Sequence, residues 1–169
     1  MRKYAELLFA VLIFIIAGMA TGMHSGTTVL AQDTVQPDDP YKSAQAFYER
    51  FETRDNGVVL DTKYGLEWFV GPDKDTTWDE AKSWVESLGV DGGGWRMPTK
   101  DELAGLYMKG VASHNMSPLF KTTGGFVWTD EMVSSSYAWG FCFEIGDAFW
   151  PRRTHSDTAR GFAVRSAKP

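Results

Sequence analysis

One cysteine, Cys142, is all that this chain of 169 residues holds. A lone thiol excludes an intrachain disulfide and any multi-cysteine metal cluster. Free cysteine is among the most buried residue types, so Cys142 is expected to act as a small hydrophobe, with a reactive thiol as the alternative. The three histidines, His24, His114 and His155, form no ligand-spaced cluster. G-x-S-x-G, P-loop and H-E-x-x-H patterns are all missing. Positive charge is also short: 17 Lys and Arg stand against 22 Asp and Glu, for a net charge of -5. An acidic chain does not attract phosphate backbones, so nucleic acid is not an expected partner.

Long apolar runs are equally scarce. The one present, Leu7 to Ala17, follows Arg2 and Lys3. It has the length of a secretory h-region and falls short of the roughly 20 residues of a membrane span. Residues 1–31 are therefore expected to be a signal peptide, cut after Ala31 or, closer to the run, after Ala20. A retained N-terminal anchor is the alternative, and only then does the chain touch a membrane. No cysteine follows the run within the leader, which excludes a lipid-modified N-terminus. Export to the periplasm, the outer surface or the medium follows from this reading.

Aromatic residues are what the chain does have. They make up 14% of it, and all seven tryptophans lie between Trp68 and Trp150. That much ring area can build a small core without covalent staples. Gln32 to Pro40 is polar, acidic and proline-bearing, and residues 32–50 are read as a spacer. A single domain is expected over 51–168.

Within that domain, Asp55-Asn56-Gly57 and Thr62 to Gly65 punctuate short β-branched and aromatic runs, so residues 51–69 predict an antiparallel meander. Thr77-Trp78-Asp79-Glu80 and Thr99-Lys100-Asp101-Glu102 are capping boxes, each opening a helix. Ala81, Trp84, Val85 and Leu88 recur at helical spacing in the first; Leu103, Leu106 and Tyr107 face inward in the second, which Gly110 is expected to end. After a loop-like stretch from Val111 to Gly125, strands are predicted at Phe126–Thr129, Tyr137–Ile145, Ala148–Trp150 and Gly161–Arg165. Alternation puts Tyr137, Trp139, Phe141, Phe143 and Ile145 on one face. Strands, two helices, a long loop and strands again make an α+β fold with a small, segregated antiparallel sheet.

The stretch Trp95-Arg96-Met97-Pro98-Thr99-Lys100-Asp101-Glu102-Leu103 resembles the W-R-L/M-P-T-x-x-E-L signature of the Lcl C-terminal domain family. Asp55 to Trp68, Thr77 to Ala81, Trp128-Thr129 and Val164-Arg165 resemble the family's other ordered segments, so the likeness spans roughly residues 51–166. The resemblance implies a C-type-lectin-like fold, distantly similar to formylglycine-generating and sulfatase-modifying domains. Those enzymes work with a pair of cysteines, which this chain lacks. Many family members carry a cysteine in the first helix and another near the final basic residues. Trp84 and Val164 or Ser166 stand in those places here, and Trp84 is expected to fill the space with apolar bulk. Arg96 is expected to tie loop carbonyls or a carboxylate together inside the fold rather than line a pocket.

With no catalytic constellation, the expected function is a binding or adhesion module for a glycan, a protein or an envelope component. A structural subunit of a surface assembly is the second reading, and an envelope enzyme working through Cys142 or a loop acid the third. Candidate ligand contacts are Trp128, Asp130, Glu131, Trp150, Arg152, Arg153 and the loop Ser134 to Ser136. Aromatic faces stack on sugar rings, and guanidinium forks hold carboxylate or sulfate. No cofactor is expected. The metal to consider is calcium, with Asp130, Glu131, Glu144 and Asp147 as hard oxygen ligands, although a calcium site takes about six to eight oxygens.

Overall fold

The computed structural model describes residues 39–168; the leader reading and most of the spacer lie outside them. Asp39 caps the first helix, α1 (Pro40–Glu49), by accepting from the Tyr41 amide, and Pro40 sits in the first turn, where its missing N–H costs nothing. A meander follows of β1 (Phe51–Thr53), β2 (Val59–Asp61) and β3 (Leu66–Val70). Next come α2 (Trp78–Glu86) and α3 (Lys100–Gly105), and then β4 (Phe126–Met132), β5 (Ala138–Cys142), β6 (Asp147–Phe149), β7 (Ala159–Arg160) and β8 (Phe162–Ser166). None of the described helices is long and apolar enough to cross a membrane.

The strands form two four-stranded sheets rather than one. The first has the order β1-β2-β3-β8 and is antiparallel throughout. The second runs β6-β5-β4-β7, and its β4–β7 pairing is parallel, a correction to the all-antiparallel expectation. Two residues of β7 carry no periodicity to read, and the pairing depends on where the preceding loop delivers them. The signature segment joins the halves of the sequence: Arg96 and Val164 exchange both backbone bonds, at 3.0 and 2.9 Å.

Both capping boxes form as read, with Thr77 and Glu80, and Thr99 and Glu102, reciprocally bonded. The helix α3 ends earlier than Gly110. Leu106 and Tyr107 bond to carbonyls three residues back, which tightens the last turn and stops it. The spacer boundary also moves. Phe47 and Arg50 are buried, and Arg50 pairs with Asp61 of β2, so residues 40–50 are part of the domain. No local pattern announces this, because an isolated helix of that length is marginal and tertiary contacts hold it. The strand β5 ends at Cys142; a turn through Gly146 (φ 76°) leaves Ile145 exposed rather than on the aromatic face. A Cβ at Gly146 would lie 2.4 Å from the Tyr107 ring, so the turn closes only with glycine.

Two cores fill the domain. One gathers Phe51, Trp68, Leu103, Phe120, Phe141 and Phe162 beneath the first sheet; the other gathers Trp78, Val85, Trp95, Phe126 and Trp128 between α2 and the second. Trp84 stacks on Phe69 with ring centroids 6.4 Å apart and covers the backbone at Gly71 and Gly161, the apolar filling expected of it. Cys142 is half-buried against the second core.

Buried arginines tie these layers together. Arg165 donates to Glu67 (2.7 Å), to Asp91 (2.7 Å) and to the carbonyls of Asp91 and Gly93, and lies 4.1 Å over the Trp95 ring. Glu67, fully buried, also faces Arg54 at 2.5 Å. Arg160 holds Asp73 and Asp75, which fastens the loop before α2 to β7.

A candidate binding face on the second sheet

The end of the second sheet carries one exposed tryptophan, Trp150, beside the half-buried rings of Tyr137 and Trp139. Alternation along β5 puts Trp139 on the same face as Phe141, and Tyr137 follows in the same phase. Helix α3 packs on this strand and begins at Lys100, and Tyr137 and Trp139 are half-buried. Across the hairpin, Trp150 meets Trp139 edge-on with centroids 4.6 Å apart, and Arg152 pairs with Tyr137 across an isolated bridge. The Arg152 guanidinium stands 5.2 Å over the Tyr137 ring, and the Lys100 ammonium 4.0 Å over Trp139. Glu131 completes the group, accepting from Lys100 Nζ at 2.9 Å. Trp150 is 52% exposed, and Arg152 is exposed beside it.

Chemically this is a platform: three rings held on paired strands, two cations and a carboxylate. Edge-packed indoles lose little freedom on binding, and their faces suit apolar sugar or side-chain surfaces. The loop Ser134 to Ser136 borders it and is exposed.

Of the residues singled out in the sequence, the structure brings Glu131, Trp150 and Arg152 together here. The others go elsewhere. Trp128 is fully buried, edge-on to Phe126 at 5.0 Å, and its indole N–H donates to the Thr76 carbonyl at 2.8 Å; it is core, which corrects its reading as a ligand contact. Phe126, Val127, Trp128 and Thr129 are all buried, so this part of β4 is covered on both faces, and its unalternating sequence was the available signal. Arg153 is spent on Asp79, on the Ser135 carbonyl and on the Trp78 ring, 4.6 Å away, and so latches the hairpin to α2. The β4–β5 ladder slips between Trp128 and Met132, and at that irregularity the neighbours Asp130 and Glu131 serve different sites.

Asp130 lines a cleft of about 190 Å³ between α2 and the signature segment, with Trp78, Lys82, Val85, Glu86, Trp95, Arg96 and Met97. Although Asp130 is exposed as a residue, partial loss of water around its carboxyl in the cleft, and then the charge of Glu131, hold that carboxyl above the usual aspartate range. At the rim, Arg96 grips Glu102 with both terminal nitrogens and donates to the Met97 carbonyl, the tying role expected of it, but it is exposed and lines the cleft, which corrects its placement inside the fold. Burial pushes the Glu102 carboxyl up, but donors from Arg96 and Thr99 outweigh it and leave it low.

The four calcium candidates do not converge. Glu144 leans over Gly125 and lies 4.0 Å from His114, while Asp147 accepts from the Ala148 amide at 2.8 Å. Among the described residues no group of three or more His, Cys, Asp or Glu is placed to hold a metal ion.

Tyr137, Trp139 and Lys100 belong to the face although the sequence marked the first two only as strand residues. The phase of β5 contains them; the meeting of Lys100 with Trp139 depends on packing that no local pattern encodes. Residues 57–165 match the family model described as the Lcl C-terminal domain. No curated protein matches the chain.

Proposed function

The chain belongs to the Lcl C-terminal domain family, and from that premise we propose that it is an exported, non-catalytic binding or adhesion module. Its ligand is a glycan or a protein of the envelope or surface, held on the face made by Tyr137, Trp139, Trp150 and Arg152. The observation that carries this reading is the half-exposed Trp150 propped against Trp139, with the exposed Arg152 guanidinium, in no salt bridge among the described residues, over the next ring. Aromatic and arginine side chains are the usual anchors of recognition surfaces, and here they stand together on one face.

We further propose that the architecture is C-type-lectin-like. Two helices opened by capping boxes, two small sheets and the irregular stretch from Leu106 to Gly125 support that reading. Export rests on the leader pattern of residues 1–31. The test is a screen of immobilised glycans and surface proteins, run with the chain and with its Trp150→Ala and Arg152→Ala variants. Binding that both substitutions weaken supports the face; binding indifferent to both refutes it.

A further inference from the structure

We propose that the cleft between α2 and the Trp95–Met97 segment binds a primary ammonium group carried on a short apolar chain. The site is separate from the Trp150 face and does not depend on it. Its floor is apolar and fixed: Trp78, Val85, Trp95 and Met97 are all buried. Both indole N–H groups are already used, Trp78 on the Thr129 carbonyl and Trp95 on the Val90 carbonyl, each at 2.8 Å. The rings therefore offer the cleft π surface and no donor.

The rim charges decide the sign of the ligand. Arg96 is held by Glu102 through two hydrogen bonds. Lys82 reaches Glu86 only at 3.9 Å and rests 5.2 Å over the Trp78 ring. Asp130 forms no salt bridge among the described residues, and two further carboxylates, Glu131 and Glu102, bear on it against the single guanidinium of Arg96. An anion entering here would meet Asp130 and Glu86, with Arg96 occupied and only Lys82, shared between Glu86 and the Trp78 ring, to hold it. A cation would gain Asp130 as a partner. The Trp78 ring is already faced by Lys82 and Arg153, so Asp130 rather than that ring would hold the charge of the ligand. No three-ligand metal group exists among the described residues, and the apolar floor gives an organic cation the contacts a bare ion lacks. About 190 Å³ accommodates an alkyl chain with its ammonium at the rim.

The experiment titrates the full chain with n-pentylammonium chloride and follows tryptophan emission, with 1-pentanol and pentanoate as the neutral and anionic counterparts. Saturable binding of the ammonium alone is expected. It should weaken about tenfold in Asp130→Asn, which removes a charge-assisted bond. Lys82→Ala, which removes a like charge from the rim, should bind more tightly. Both positions are exposed, and unchanged melting temperatures check that the variants fold. Equal binding of pentanol or pentanoate, undiminished binding by Asp130→Asn, or no saturable change in emission overturns the assignment.

Discussion

The same pairing, a cation over an aromatic ring, appears in both halves of the molecule with different consequences. At the first sheet Arg165 lies over Trp95 at 4.1 Å and is 5% exposed, with carboxylates and carbonyls on its nitrogens. At the second sheet Arg152 lies over Tyr137 at 5.2 Å, exposed, with no salt bridge among the described residues. Burial separates the two roles. A guanidinium taken out of water must have its donors matched by the fold and becomes part of the framework. One left in water keeps its donors for a ligand.

Breaking the buried member should have the largest effect. Arg165→Ala strands Glu67 in the interior and opens the loop at Asp91 to Gly93; a loss of about 3–5 kcal/mol is expected in urea unfolding. Trp128→Ala should cost a similar about 3–5 kcal/mol, because a full indole leaves the second core. Trp150→Ala is its counterpart at the surface, expected to shift stability by only about 0.5–1 kcal/mol while removing ligand binding. A large stability loss at Trp150 would erase the contrast between the two tryptophans.

Two carboxyls, Asp73 and Asp130, differ in the same way with pH. Asp73 is held down to about 2 from its ordinary 3.8, by the Thr123 amide first and by Arg160 next. A depressed carboxylate contributes stability that is complete above the ordinary 3.8 and is lost as pH falls toward about 2. Acid titration of unfolding should show that loss in the parent chain, and Asp73→Asn should lack it. Asp130 has the opposite sign: its raised carboxyl favours the fold when protonated, and that contribution fades as pH rises through its folded-state value. The smallest effect is expected at Arg152→Ala, within about 0.5 kcal/mol of the parent in stability and visible only in binding.

How far the sequence carried this picture depended on whether a feature was local. The helix starts at Thr77 and Thr99 were legible because a capping box is complete within four residues. The restraint of Arg96 was legible for a similar reason, since its partner Glu102 lies in the same signature. Docking of α1 through Arg50 and Asp61 and the parallel strand β7 were not, because each depends on chain brought in from far away; for the burial of Trp128 the only local signal was the unalternating run Phe126 to Thr129. The candidate face was half legible. Trp150, Arg152 and Glu131 were named from residue type and neighbourhood. Their assembly with Lys100, Tyr137 and Trp139 comes from packing, which also sent Asp130 and Arg153 elsewhere.

The most direct test of the central claim follows the seven indole N–H signals by NMR while a ligand from the binding screen is added. Trp150 and Trp139 are expected to shift together and saturate while Trp68 and Trp128 stay fixed. Shifts confined to Trp78 and Trp95, with Trp150 unmoved, would contradict it.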